Sequence, residues 1–199
     1  GHDSYIPPTL VLKARKTTRE ASGPLVLGVD PARYGTDRFS IAWRRGRKVS
    51  RIESKHKLDI VAGAGWVKQI IDQEKPARVF IDVGGVGAGV GDLLRDWYGD
   101  RVIRLINFGG EPLEPPPPKG GGPRNRRAEM WMKSKDWLDD VGGADVPDLD
   151  SLQADACGPS YKYDSNTRLL LESKEDMIRR GVRSPDEWDA VALTFAEPV

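Results

Sequence analysis

Short apolar runs alternate with amphipathic segments along most of the chain, a pattern typical of proteins that mix strands and helices. The runs at 24–30, 38–44 and 48–55 have the length and composition of strands. Gly46 lies between the last two runs, in the sequence RRGRK, and predicts the tight turn of a β-hairpin. The other predicted elements are, in chain order, a helix over 59–74, a strand over 77–82, a helix over 88–98, a strand over 101–108, a helix over 125–141, a hairpin over 160–173 and a helix from Ser184 onward.

This order of elements predicts an α/β fold with one mixed sheet. Strands joined by a hairpin pair antiparallel, whereas strands joined through a helix return parallel, so we expect helices on both faces of the sheet. Residues 24–199 are expected to form this domain. Residues 1–23 are polar and contain Pro7-Pro8, so we expect an arm or linker there, and Gly1-His2 resembles the remnant of a purification tag. The segment 109–125 is rich in proline and glycine and predicts a surface loop.

Two acidic residues end predicted strands. Asp30 follows the apolar run LVLGV, and Asp82 follows RVFI. Ligand sites of open α/β sheets gather at the carboxyl ends of the strands, so the two carboxylates are expected to share one crevice if their strands are neighbours. Aspartate is also a common turn former, and a turn role is the alternative for either residue taken alone.

The last predicted helix adds two more carboxylates. Ser184 as N-cap and Glu187 three residues later have the spacing of a capping box, with Pro185 in the first turn. Asp186 and Asp189 are three residues apart and therefore share a face of this helix. The helix dipole explains an acid in the first turn, but it explains Asp189, which lies deeper among apolar residues, less well.

Several carboxylates without histidine or cysteine partners suit a hard divalent cation, Mg²⁺ or Mn²⁺. Two such ions ~3.5–4 Å apart clamp a phosphodiester, one activating water and the other stabilising the departing 3′-oxygen. Arginines near Asp30 would then bind a DNA backbone without reading its sequence. We expect Arg33 and Arg38 to make such phosphate contacts, and we expect Asp37 only to balance the charge of Arg38.

Charge is unevenly distributed along the chain, although the net charge is only +1. Basic residues predominate between 33 and 57, and every charged residue between 136 and 155 is acidic. Such segregation can create a basic face, but ordinary solvated surface is an equally good interpretation. The single cysteine, Cys157, excludes an internal disulfide. No apolar run approaches the ~18 residues of a membrane span.

The glycine run DVGGVGAGVGDLL at 82–94 does not contain the pattern G-x-G-x-x-G, and G-x-x-x-x-G-K-[ST] occurs nowhere in the chain. Both a dinucleotide-binding fingerprint and an ATP-binding P-loop are therefore absent. The glycines are expected either to let backbone approach a site beside Asp82 closely or to form a flexible turn.

Five segments carry a family resemblance, and they span roughly 24–197: LGVDPARYGTDRFSIAW, VFIDVGGVGAGVGDLL, NRRAEMW, YKYDSNTRLLLESKEDMIRRG and SPDEWDAVALTFA. In this order they resemble the C-terminal nuclease domain of tailed-phage terminase large subunits, which has an RNase H-like fold. The resemblance implies a metal-dependent endonuclease that cuts concatemeric double-stranded viral DNA during genome packaging. It also implies two metal ions and little sequence specificity.

The resemblance further assigns residues and partners. It implies that Asp30, Asp82 and Asp189 are catalytic acids and that Asp186 binds metal with them. Lys174, in the segment LESKEDM, matches a basic residue near the family's site. The residues expected to bind DNA are Arg33, Arg38, Arg44, Arg45, Arg47, Lys48, Arg126 and Arg127. The implied partners are double-stranded DNA, an N-terminal ATPase domain of the full-length chain, the portal and the small terminase subunit, in the cytoplasm of an infected bacterium and without a membrane.

Two alternatives stay open. The same fold suits a Holliday-junction resolvase or an RNA–DNA hybrid nuclease. A non-catalytic module that binds DNA or docks on the packaging motor is the other alternative. Cleavage of a four-way junction, a hybrid and a plain duplex would separate the enzymes from one another, and metal-dependent cleavage of any of them would exclude the module.

Overall fold

The computed structural model describes residues 3–31 and 38–199. Strands β1 to β7 are Val26–Asp30, Arg38–Arg45, Lys48–His56, Arg78–Asp82, Ile103–Ile106, Tyr161–Tyr163 and Leu169–Leu171. Helices α1 to α7 are Pro8–Lys16, Ile60–Glu74, Gly87–Tyr98, Arg126–Asp139, Asp150–Ala156, Lys174–Arg179 and Asp186–Leu193. The strands and helices predicted from the apolar pattern are all present, and α1, α5 and α6 are additional.

The first five strands form one sheet in the order β3-β2-β1-β4-β5. The central strand β1 is antiparallel to β2 and parallel to β4, and β5 is parallel to β4. β2 and β3 form the predicted antiparallel hairpin. β6 and β7 pair separately as a second hairpin. The mixed sheet of an α/β fold is therefore confirmed.

Alternate side chains of a strand point to opposite faces, and this divides the core into two apolar layers. On one face, Leu27 and Val29 of β1 lie in a cluster that includes Val67 and Ile70 of α2. On the other face, Val26 lies in a second cluster built largely from α4, α5 and α7. Helices therefore cover both faces of the sheet, as predicted.

The N-terminal segment is folded onto the domain, although its polar composition predicted an arm or linker. α1 begins at Pro8, where a fixed φ and a missing N–H are well tolerated. Ile6 and Val11 are fully buried in the second core cluster. A few well-spaced apolar residues are enough to anchor a short helix. Residues 3–23 are polar on average, so their composition alone did not predict this helix.

Residues 107–125, all of them described, connect β5 to α4 without a helix or strand of their own. Most residues of this Pro/Gly-rich segment are exposed. The carboxylate of Glu129 holds it by accepting hydrogen bonds from the backbone N–H groups of Leu113 and Glu114, at 2.8 and 3.0 Å. A single β-bridge joins Pro123 to Leu169 of β7. In the described part of the chain, no helix is both long and apolar enough to cross a bilayer.

α7 is buried along its whole length and crosses β1 at close range. At the crossing point, a Cβ on Gly28 would lie 1.9 Å from the carbonyl oxygen of Ala190. Only glycine lets the two backbones come this close. Because α7 lies deep in the interior, its polar side chains are buried as well.

We predict that Gly28→Ala destabilises the protein by ~3 kcal/mol or more, because the added methyl group meets helix backbone that cannot move aside without unpacking α7. Gly65→Ala is the matched control, because Gly65 lies within α2 and a Cβ there meets nothing within 4 Å. The control should be stabilised by ~0.5–1 kcal/mol, since alanine is the better helix former. Urea and thermal unfolding measure both changes. A Gly28→Ala protein as stable as the unmodified chain would contradict the close approach.

Candidate metal centre

Asp30 and Asp82 lie side by side at the carboxyl edge of the sheet. They are the last residues of β1 and β4, neighbouring parallel strands in which Val29 is paired with Ile81. Only 1% of Asp30 and 4% of Asp82 is exposed. The parallel pairing thus brings the two strand-end acids together, as predicted for neighbouring strands.

α7 brings two more carboxylates to the same edge. Asp186 begins the helix, Asp189 lies one turn further on, and both are buried. Carboxylate oxygens of Asp30, Asp186 and Asp189, one from each, lie within 4.8 Å of one another and could hold a metal ion. We call these three residues the aspartate cluster. Asp82 lies beside it, and its Oδ1 accepts a hydrogen bond from the N–H of Gly84 at 3.2 Å.

The ammonium group of Lys174 lies among the carboxylates of the aspartate cluster. Its Nζ is 2.9 Å from Asp30 Oδ2, 3.3 Å from Asp186 Oδ1 and 3.4 Å from Asp189 Oδ2. Lys174 is the first residue of α6, and the hydroxyl of Ser173 caps that helix. One buried cation therefore balances part of the charge that three buried acids share.

Asp189 has two further donors, both from α4. Arg127 Nε and Trp131 Nε1 donate to its Oδ1 at 3.1 and 2.8 Å. Arg127 also donates to the carbonyl oxygen of Glu172 at 2.9 Å, which fixes its guanidinium. The sequence offered no signal for Trp131, because a tryptophan in a predicted helix is more simply interpreted as core.

Burial and charge act against each other in the aspartate cluster. Burial raises the pKa of Asp30 well above its ordinary value; Lys174 opposes that rise, and the neighbouring acids add to it. Burial alone would also raise the pKa of Asp189, but Arg127 and Lys174 hold it below its ordinary value. Burial would lower the pKa of Lys174, yet the three acids raise it. Arg127 and Lys174 therefore favour the charged form of Asp189, whereas burial favours the neutral form of Asp30.

Two carboxylate oxygens of the cluster accept no hydrogen bond. Among the side chains that the structure describes, the buried polar atoms without a hydrogen-bond partner are Asp30 Oδ1, Asp189 Oδ2 and Arg127 Nη2. An unsatisfied buried oxygen costs free energy, so such atoms call for a further partner. A set of carboxylate oxygens with free lone pairs fits Mg²⁺ or Mn²⁺, which prefer oxygen ligands.

A groove of about 530 Å³ borders the site. It is lined by the first residues of α6, the start of α4 and the β6–β7 hairpin, and it includes Lys174, Arg127, Lys162 and Tyr161. Three basic side chains therefore line the groove beside the buried acids, together with the acidic side chains Glu172, Glu175 and Asp176.

Solved structures similar to this chain are nuclease domains of phage large terminase subunits. The nuclease domain of the large terminase subunit gp2 of bacterial virus Sf6 aligns with a TM-score of 0.85 and 22% identity, over 98% of this chain and 100% of that one. The large terminase nuclease of thermophilic phage G20c aligns with a TM-score of 0.66 and 13% identity, over 99% and 100%. This chain has the large-terminase nuclease fold. No family model and no curated protein matches its sequence.

The RNase H-like arrangement predicted from the resemblance is thereby confirmed as the fold. Related structures with this terminase nuclease fold were solved with divalent metal ions. Those of the Sf6 domain include one with calcium and one with manganese and β-thujaplicinol, and one of the G20c nuclease has bound magnesium.

Arg38, expected to contact phosphate, is buried within the terminase nuclease fold. It is 7% exposed, and its guanidinium donates to the carboxylates of Asp155 and Glu187. Its backbone N–H donates to Asp186 Oδ2 at 3.0 Å. Arg38 therefore supports the aspartate cluster from inside the protein, and its side chain is not available to DNA.

The capping box predicted at the start of α7 is not formed. Pro185 occupies the N-cap position, and no side chain caps the helix from there. Ser184 Oγ donates instead to Asp186 Oδ1 at 2.8 Å. The N–H of Glu187 is satisfied by Asp155 Oδ2 at 2.8 Å, an acid from α5 that is distant in sequence. Local spacing could not reveal this partner.

The basic residues of the β2–β3 hairpin lie at the opposite end of the sheet from the acids. Arg44 is paired with Val26, whereas Ser40 is paired with Asp30. Other parts of the fold accept their hydrogen bonds: Arg44 donates to Thr194, Arg45 to Gly23, Arg47 to Trp137 and Gly143, and Lys48 to Asp145. The structure does not bring these predicted DNA-binding residues to the site.

The remaining predicted DNA-binding residues divide into two groups. Arg126 is buried, and its guanidinium donates to Glu129 and to a main-chain carbonyl oxygen. Arg127 lines the groove and touches the aspartate cluster. Arg33 and Asp37 lie outside the described residues.

We predict that Lys174→Met destabilises the metal-free protein by ~3–5 kcal/mol, because three buried carboxylates lose their shared cation. Mn²⁺ should raise the melting temperature of this variant more than that of the unmodified protein. Thermal unfolding with and without Mn²⁺ measures both effects. Lys162→Met removes the same charge from the exposed hairpin beside the groove. It should change neither the stability of the metal-free protein nor the effect of Mn²⁺ on its melting temperature. An unaltered melting temperature for metal-free Lys174→Met would rule out the internal counter-ion.

Proposed function

We propose that this chain is a divalent-metal-dependent endonuclease that cleaves double-stranded viral DNA during genome packaging. The observation that carries the proposal is the buried aspartate cluster, with Asp82 beside it, at the carboxyl edge of a large-terminase nuclease fold. The calcium, manganese and magnesium in related nuclease structures support the choice of a divalent ion.

We infer that a pair of Mg²⁺ or Mn²⁺ ions is held by Asp30, Asp82, Asp186 and Asp189. A bound ion pair supplies activation of water and neutralises charge at the scissile phosphate. The chain contributes ligands that are already in position, because β1, β4 and α7 hold the acids before any ion arrives. The unsatisfied oxygens Asp30 Oδ1 and Asp189 Oδ2 are the natural first contacts.

Neighbouring hydrogen-bond donors hold these ligands in position. Arg127 and Trp131 both donate to Asp189 Oδ1 and leave its Oδ2 without a hydrogen bond. The ammonium of Lys174 balances the cluster while no metal is bound. If bound cations balanced the acids instead, the Nζ of Lys174, which lines the groove, would be available to a phosphate oxygen.

Little sequence specificity follows from the chemistry of the groove. Its basic side chains, Lys162, Lys174 and Arg127, suit backbone phosphates, which are the same in every sequence. We infer that the chain works beside an ATPase motor domain, a portal and a small terminase subunit in the cytoplasm of an infected bacterium.

We predict that the protein converts supercoiled plasmid to nicked and linear forms in Mn²⁺ or Mg²⁺, and that EDTA abolishes the reaction. Asp30→Asn, Asp82→Asn and Asp189→Asn should each lower the cleavage rate by at least ~100-fold, because each removes a charged oxygen ligand from the ion pair. Gel electrophoresis of timed reactions measures the rates.

Asp72→Asn is the matched control, since Asp72 lies on the exposed surface of α2 and pairs with Lys68 of the same helix and Tyr98 of α3. Its cleavage rate should equal that of the unmodified chain. Salt-dependent DNA binding without metal-dependent cleavage would instead indicate a docking module.

A four-way junction and an RNA–DNA hybrid should be cut no faster than a plain duplex of equal length. A strong preference for the junction would indicate a resolvase, and a preference for the hybrid would indicate an RNase H-type substrate. Duplex cleavage that persists in Asp30→Asn and Asp82→Asn would contradict the assignment of these acids to the active site.

A further inference from the structure

α7 carries two of the proposed metal ligands, and each of its ends is held by an arginine from the same strand. Arg38 begins β2 and binds the start of α7, whereas Arg44, near the end of β2, binds its C-terminal end. The two arginines are six positions apart, so both side chains point to the face of the sheet that α7 covers.

At the start of α7, Arg38 joins three elements of the fold. One of its terminal nitrogens donates to Asp155 Oδ2 at 2.8 Å and to the carbonyl oxygen of Ser184 at 3.0 Å. The other donates to Glu187 Oε1 at 3.1 Å. Its backbone N–H contacts Asp186, a member of the aspartate cluster, at 3.0 Å. The residue therefore binds the helix start and a proposed ligand at the same time.

Asp155 completes this arrangement from α5. Its Oδ2 accepts a hydrogen bond from the N–H of Glu187 at 2.8 Å, and its Oδ1 accepts one from Arg183 Nε at 3.1 Å. Only 1% of Asp155 is exposed. Because buried charged hydrogen bonds are short and directional, the pair of Arg38 and Asp155 fixes both the position and the rotation of the first turn of α7.

The C-terminal end of α7 is held in a similar way but far from the acids. Arg44 donates to the hydroxyl and to the carbonyl oxygen of Thr194, each at 2.9 Å, and its guanidinium stacks over Phe195 at 4.1 Å. None of these contacts involves a member of the aspartate cluster.

We propose that Arg38 and Asp155 are positioning residues that set the geometry of metal binding at Asp186 and Asp189. The inference rests on the proposed metal-dependent function. Groups that orient metal ligands without touching the ion contribute ~10–100-fold to metal affinity in other proteins. Here that role falls to a buried ion pair formed between β2 and α5.

Whether removal of the Arg38 guanidinium weakens or tightens metal binding distinguishes a positioning role from a purely electrostatic one. Arg38 Nε lies 3.7 Å from Asp186 Oδ2, so its positive charge repels a divalent cation in the site. If charge alone mattered, removing the guanidinium would tighten metal binding. If Arg38 positions the ligands, removing it weakens metal binding despite the loss of repulsion.

The test is a titration of the protein with Mn²⁺, in which the electron paramagnetic resonance signal reports free ion. The pH is set near 8, above the pKa of Asp155, which burial raises to about 7. We expect Arg38→Met and Asp155→Asn to weaken Mn²⁺ binding by ~10-fold or more. Arg44→Met is the matched control, because it loosens the other end of the same helix, and its affinity should stay within about twofold of the unmodified value.

Each outcome decides the proposal. Tighter or unchanged Mn²⁺ binding in Arg38→Met overturns it, and so does equal weakening in Arg44→Met, which would indicate general loosening of α7. Circular dichroism and melting temperatures check folding. If Arg38→Met does not fold, Arg38→Lys is used, because it keeps the charge but loses the forked geometry. Weaker Mn²⁺ binding in Arg38→Lys supports positioning, and unchanged binding overturns it. If the unmodified protein does not bind Mn²⁺, the proposed function fails first.

Discussion

The structure depends on holding several carboxylates close together out of water. Like charges in a buried site repel one another, and each also loses its hydration. Lys174 offsets this cost for Asp30, Asp186 and Asp189 at once, and Arg127 adds a second cation at Asp189. The compensation is incomplete, since two carboxylate oxygens keep no hydrogen bond. A buried site whose negative charge is only partly balanced is well suited to bind divalent cations.

The backbone must approach itself closely for those acids to converge. Gly28 lets α7 lie directly on β1, and Gly87 does the same for the turn that follows Asp82. A Cβ on Gly87 would lie 2.0 Å from the carbonyl oxygen of Asp82. Of the two interpretations of the glycine run at 82–94, close approach therefore applies at Gly87, next to one of the proposed ligands.

Several arginines that were predicted to bind DNA serve instead as internal connections. Arg38 and Arg44 hold the two ends of α7, and Arg126 joins α4 to the chain near its C-terminus. A guanidinium suits such positions because its planar fork satisfies several acceptors in a fixed geometry. Among the described residues that were predicted to bind DNA, Arg127 alone lines the groove.

The periodicity of apolar residues was enough to predict the mixed sheet, and the acids that end β1 and β4 were enough to predict that two carboxylates meet at its carboxyl edge. Both are local properties, since strand alternation and strand ends are visible within a few residues. The helix face shared by Asp186 and Asp189 is local in the same sense.

The partners of these acids are not local. Lys174 is 144 residues from Asp30, and Arg38 is 117 residues from Asp155. Such pairs depend on which elements pack together, and the same arginine can face DNA or the interior without any change in its neighbours in sequence. Only the tertiary structure could therefore decide which basic residues surround the aspartate cluster.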